Sequence, residues 1–157
     1  MTKILVSACF LGEKVRYDGK CQSLLNETLL HWQQNKQVVS FCPEVAGGLS
    51  VPRQPAEIQN KSQRIVTCDG VDVSEQFNKG AQRALKLCQQ HNIGIALLKE
   101  SSPSCGSTTI YDGTFTDKKI NGEGVTTALL RKNGIRVFSE KNISVLIQEM
   151  MSINEKP

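Results

Sequence analysis

Cys9, Cys42 and Cys105 each follow closely on a short apolar run, respectively Ile4-Leu5-Val6, Val38-Val39-Ser40-Phe41 and Ile93-Gly94-Ile95-Ala96-Leu97-Leu98. If those runs lie side by side in a parallel sheet, their ends form the rim where open α/β folds place ligands. Three thiols then meet at one site. Three thiolates suit a metal ion with one open position, or an iron–sulfur cluster in which one iron has no protein ligand. Such an iron is a Lewis acid suited to a soft ligand, and substrate sulfur is one. The plainer explanation is three buried cysteines used as small apolar side chains. Against it, all three sit in turns of small or polar residues: Ser7-Ala8-Cys9, Cys42-Pro43-Glu44 and Ser102-Pro103-Ser104-Cys105-Gly106.

Other residues near these turns could do chemistry. Glu44, two residues beyond Cys42, is placed to act as a general acid or base at the same site; its alternative is a solvated loop acid. The run from Ser101 to Ser107 offers hydroxyls and turn amides for an anion or the polar edge of a heterocycle, although Ser, Pro and Gly also make ordinary turns. Arg53, between Pro52 and Gln54-Pro55, could clamp a phosphate or stand exposed. Gly47-Gly48 completes no phosphate-loop pattern, and the chain has neither GxxxxGK[ST] nor GxGxxG, which disfavours nucleoside triphosphate or dinucleotide chemistry.

The elements that must position these residues follow from periodicity. Ser23 is placed to cap a helix carrying Leu24, Leu25, Leu29, Leu30 and Trp32, between the first two strands. After Phe41, proline and glycine predict a long irregular stretch containing Gly47-Gly48, Pro52 and Pro55; at that length it reads as a binding loop or lid. Arg64–Thr67 is a short extended piece. Ser74 then caps a helix with Phe77, Ala81, Ala84, Leu85 and Cys88 on its buried face. A polar segment from Ser101 to Gly124 follows the third strand. Next come a helix through Val125, Ala128, Leu129 and Leu130 stopped by Gly134, a strand at Ile135–Phe138 and a closing helix from Ile143 to Met151. Alternating strands and helices predict an α/β fold: one domain over residues 1–157, with a Rossmann-like parallel sheet of four strands or more, right-handed crossovers and flanking helices.

Composition excludes several classes of function. The 157 residues are 39% hydrophobic and 22% charged, the balance of an ordinary globular chain. The N-terminal apolar segment is too short to span a membrane and has no cleavage pattern, so the cytoplasm is the expected location. A net charge of +4 with scattered basic residues favours a small anionic partner over nucleic acid. Six cysteines with no CxxC, and only His31 and His91, disfavour a local zinc site. Cys88 reads as core packing, and Cys21 and Cys68 as spare thiols near turns. No helix shows a heptad seam that would fix an oligomeric state.

Several motifs together resemble one family. In the N-terminal half these are Ile4–Cys9 with Leu11-Gly12, Arg16-Tyr17-Asp18-Gly19, Cys42-Pro43-Glu44-Val45, Gly47-Gly48, Pro52-Arg53 and Pro55–Ile58. Further on they are Lys99-Glu100, Ser102–Gly106, Ile110–Phe115 and Gly124-Val125-Thr126 with Ala128-Leu129-Leu130. This set is similar to the small bacterial thiouracil desulfurases (desulfidases) over nearly the whole chain. The resemblance implies a [4Fe-4S] cluster held by Cys9, Cys42 and Cys105. It also implies non-redox removal of sulfur from 2-thiouracil, 4-thiouracil and 4-thiouridine monophosphate, with the thiocarbonyl sulfur on the iron that lacks a protein ligand. Within it Glu44 maps to the acid/base group and Ser102 to a catalytic serine, with Ser101 and Ser104 close enough to compete; Arg53, Gly47 and Gly48 are further candidates for holding substrate. The expected partner is a small thiopyrimidine or its nucleotide, with neither membrane nor nucleic acid. Two other functions are open: a sulfurtransferase carrying a persulfide on Cys105, and a non-catalytic iron–sulfur sensor.

Overall fold

A computed structural model describes residues 2–13, 16–19 and 26–155. Its centre is a four-stranded parallel sheet of β1 (Ile4–Ser7), β2 (Val38–Phe41), β5 (Ile95–Leu97) and β8 (Arg136–Phe138), in the order β2-β1-β5-β8. Leu5 pairs with both Val39 and Ala96, and Val6 with Ser40 and Leu97, which makes β1 an inner strand. The expected α/β architecture is therefore present.

Alternation along the strands assigns each helix to a face. Ile4, Val6, Ile95 and Leu97 pack with Leu29 and Trp32 of α1 (Glu27–Gln34) and Leu146 and Met150 of α5 (Ile143–Glu155). Leu5, Ala96 and Val137 face the other way. They pack with Ala84 and Cys88 of α3 (Ser74–Gln90) and Leu130 of α4 (Val125–Lys132). Because both faces are covered, the inner strands are nearly continuous apolar runs, which is why they stand out in the sequence.

Two expected helix starts differ from the structure. Ser23, Leu24 and Leu25, with Cys21, lie outside the described residues, and α1 begins at Glu27, where the Asn26 side chain accepts the Leu29 amide at 3.0 Å. At α3 the acceptor for the first turn is Asp72, which takes the Ser74 amide at 2.9 Å, while the Ser74 hydroxyl oxygen accepts the Ile65 amide at 2.8 Å. Gly134 does end α4, in the left-handed conformation at φ 80°.

The stretch after Phe41 is not wholly irregular. Cys42 caps one helical turn, α2 (Pro43–Ala46), whose first position is the proline. Proline is favoured there because its missing N–H has no helical partner to lose. Two antiparallel hairpins add the cavity wall: β3 (Ala56–Ile58) with β4 (Ile65–Thr67), and β6 (Thr109–Tyr111) with β7 (Lys119–Asn121). Ile58, Ile65 and Ile110 form a smaller core with Val73 and with Phe77 of α3. No helix among the described residues is long and apolar enough to cross a membrane.

Candidate functional site

The strand order places a switch point at β1, since the chain leaves β1 for β2 on one side and returns to β5 on the other. Ligands of open α/β sheets bind outside the carboxyl ends of strands at such a point. A cavity of about 1100 Å³ opens there. Cys9, in the 3₁₀ turn after β1, Cys42 directly after β2, and Cys105, in the loop after β5, all line it, together with Glu44, Arg53, Ser101 and Ser102. Ser104, Gly47 and Gly48 do not line it. Ser104 is fully buried, its hydroxyl 2.7 Å from that of Thr126, and Gly47 is pressed against α3.

Burial pushes all three thiols up from their ordinary value. Cys9 reaches about 11, raised by desolvation and then by Cys42, and opposed by Lys99 and Arg16. Cys42 is raised by desolvation, partly offset by the Val45 amide. Cys105 is raised most, by its burial and then by Glu44. Each thiolate therefore requires a cation beside it. Among the described residues no three His, Cys, Asp or Glu side chains are close enough to share one metal ion. In a cluster each thiolate holds a different iron, so the three ligands stand further apart than the ligands of a single ion. Three thiols around one cavity have the chemistry of the donor set such a cluster needs.

Glu44, in the first turn of α2, is half-buried and forms an ion pair with the Arg53 guanidinium. Arg53 also donates to the Ser50 carbonyl at 3.0 Å, and its backbone amide donates to the Tyr17 carbonyl at 2.6 Å. The arginine thus orients the carboxylate on the cavity wall.

The three serines after β5 separate by their bonds. The Ser101 hydroxyl is 2.9 Å from that of Thr109, and Ser104 is tied to Thr126. Ser102 Oγ accepts two amides, from Ser104 at 3.1 Å and Cys105 at 2.7 Å. With its oxygen occupied as acceptor, the Ser102 hydroxyl keeps its proton to donate. The same bonds lock Cys105, whose carbonyl accepts the Thr127 hydroxyl at 2.9 Å.

Beneath this loop lies a residue whose role sequence reasoning did not find. Glu100 is 3% exposed, and its Oε1 accepts the amides of Ser101, Ser107, Thr108 and Thr109 at 2.8–3.1 Å while Oε2 accepts the Ser107 hydroxyl at 2.5 Å. Burial alone would raise its pKa, but the Ser107 hydroxyl and the amides outweigh that and hold it at about 2. Ser101 is thereby kept at φ 72°, an uncommon conformation for a residue other than glycine. The only local signal was an acid just before a serine-rich turn.

Cys88 is buried in the α3 core, as expected. Cys68 is exposed and also reaches the cavity wall, from the end of the β3–β4 hairpin, with its Sγ 3.2 Å from Gln54 Oε1.

A solved structure of the [4Fe-4S]-dependent thiouracil desulfidase TudS superposes with a TM-score of 0.92 at 48% identity, covering 96% of this chain and 99% of that one. The protein YbbK of Bacillus subtilis (strain 168), described as uncharacterized, is 43% identical over 152 residues, 92% of this chain and 99% of its own length. Residues 4–142, which take in Cys9, Cys42 and Cys105 and the whole parallel sheet, match the family profile of 2-thiouracil desulfurase, and the chain is a member of that family.

Proposed function

We propose that this chain is a [4Fe-4S]-dependent desulfidase that converts the thiocarbonyl of a thiolated uracil to a carbonyl, with water consumed and hydrogen sulfide released. The observation that carries the reading is the convergence of Cys9, Cys42 and Cys105 on one cavity from the ends of three adjacent parallel strands. A cluster held by three thiolates supplies a soft, electron-poor iron that polarises a carbon–sulfur double bond. The remaining steps belong to the protein. Glu44, oriented by Arg53, takes a proton from the attacking water and returns it toward the leaving sulfur, the two directions of one acid/base group. Ser102 donates its hydroxyl proton to the pyrimidine ring edge, and Ser101 shapes the same wall. The cavity volume admits a nucleotide as well as a free base.

The buried position of Cys105 counts against a persulfide carrier, because a carrier thiol needs a lowered pKa and access. The test is anaerobic reconstitution with iron and sulfide, followed by loss of the near-ultraviolet absorbance of 4-thiouracil and 4-thiouridine monophosphate. Cluster-dependent formation of the uracil product is the expected result. Assembly of the cluster without turnover of any thiolated pyrimidine would favour the sensor, and failure to assemble it would end the proposal.

A further inference from the structure

Five aromatic side chains line the cavity: Tyr17, Phe41, Phe77, Tyr111 and Phe115. Two of them, Phe41 and Phe77, pack into the core, and two are tyrosines. Phe41 packs against the core on the α3 side of the sheet, and Phe77 belongs to the small core beneath the hairpins. The Tyr111 ring carries the Lys119 ammonium 5.5 Å from its centroid, and Tyr17 is 41% exposed at the rim. Phe115 is half-buried, faces the cavity and joins none of the three core clusters.

Its backbone is held in place by a device that packing does not require. Phe115 has φ 58°, a conformation that a bulky side chain rarely adopts. Glu57, 8% exposed, accepts the Gly113 amide at 2.9 Å and the Phe115 amide at 3.3 Å on one carboxylate oxygen. The Gln59 side-chain amide donates to the Gly113 carbonyl at 3.1 Å, and a β-carbon at Gly113 would stand 2.8 Å from the Ile58 carbonyl oxygen. The loop after β6 is therefore clamped onto β3. Backbone strain held by surrounding structure at a cavity wall is a mark of a functional position.

From this geometry we infer that Phe115, positioned by Glu57, is the stacking platform for the planar ring of the substrate and sets the preference of the site for a pyrimidine. The inference rests on the desulfidase reading and deepens it. A ring face binds ground and transition states alike, so its loss raises KM and leaves kcat nearly unchanged. Base stacking on an aromatic side chain corresponds to about ten- to a hundredfold in affinity.

The experiment uses reconstituted holoenzyme of the wild type, Phe115→Ala, Phe115→Tyr, Glu57→Ala and the Phe115→Ala/Glu57→Ala double variant. It measures iron content, KM and kcat for 4-thiouracil, and calorimetric affinity for uracil. Expected are unchanged iron, a KM raised about tenfold or more in Phe115→Ala with kcat within about twofold, a parallel loss of uracil affinity, and recovery of both in Phe115→Tyr. Glu57→Ala should raise KM in the same sense, and the double variant should be no worse than Phe115→Ala, the mark of two residues acting as one unit. Wild-type turnover with unchanged KM and uracil affinity in Phe115→Ala overturns the platform alone. Absence of wild-type turnover overturns the desulfidase reading, and uracil affinity still decides about Phe115: loss in Phe115→Ala supports the platform, while equal or absent binding in both proteins overturns it.

Discussion

Gly47 and Gly80 bring α2 and α3 into backbone contact: a β-carbon on Gly47 would fall 1.9 Å from the Gln76 carbonyl oxygen, and one on Gly80 the same distance from that of Pro43. Backbone atoms cannot swing aside as a side-chain end can, so either substitution must shift α2, the turn that follows Cys42 and carries Glu44. Gly47→Ala and Gly80→Ala should each cost about 1–3 kcal/mol, as overpacking does. Iron retained after anaerobic reconstitution should fall as well, read by iron assay beside a thermal melt. Retention of full iron by both would show that α2 moves without disturbing the thiols.

Replacement of Cys9, Cys42 or Cys105 should separate from replacement of the other cysteines. Cys9→Ala, Cys42→Ala and Cys105→Ala are each expected to abolish iron retention, whereas Cys88→Ala should mainly cost packing, on the order of 1 kcal/mol. Cys68→Ala is the sharper comparison, because Cys68 reaches the same cavity. About four irons per chain and full turnover are expected to persist in it; their loss would mean that a fourth thiolate closes the cluster and leaves no iron open.

Glu44→Gln should retain the cluster spectrum and lose at least about a hundredfold in kcat, the size of a lost acid/base group. Full activity in that variant would remove Glu44 from the chemistry. Arg53→Ala leaves the half-buried carboxylate without its cation, and breaking such a pair costs about 3 kcal/mol or more when it is well buried. Denaturant titration of the apo protein measures it.

Glu100 gives a prediction in pH. Its carboxyl lies at about 2 in the fold against an ordinary value of 4.5. The depressed value means that the folded state favours the charged form. The contribution, on the order of 3 kcal/mol, is therefore complete above about pH 5 and is lost as pH falls toward 2. Stability of wild type minus that of Glu100→Gln, followed by denaturant midpoints, should shrink over that window. A difference independent of pH would assign the effect to shape alone.

The sheet was legible because strands buried on both faces leave unbroken apolar runs such as Ile4-Leu5-Val6, and the helices because Phe77, Ala81, Ala84 and Cys88 repeat at helical spacing. The hairpins were not, since each pairs strands of only three residues set among Pro, Gly and Ser, and their pairing is decided by the small core around Phe77. The turn of helix that Pro43 begins is hidden by the prolines and glycines around it. The placement of Cys9, Cys42 and Cys105 on one cavity was legible through topology, because each follows a strand of the sheet, whereas that of Cys68 was not. Glu100 and Glu57 were not, because the amides they bind converge only when loops close. Among the three serines the distinction came from hydrogen bonds, which no sequence spacing records.

The strand order also bears on when such a site can come into being. Its corners stand at the ends of β2, β1 and β5, so no hairpin, helix pair or N-terminal fragment contains them at their final spacing. A nascent chain exposes Cys9 and Cys42 well before Cys105 exists, and only pairing of β5 with β1 brings the third thiol in. If the proposed cluster needs all three thiols, iron retention would proofread the sheet, since only a chain that has paired β5 with β1 presents them together.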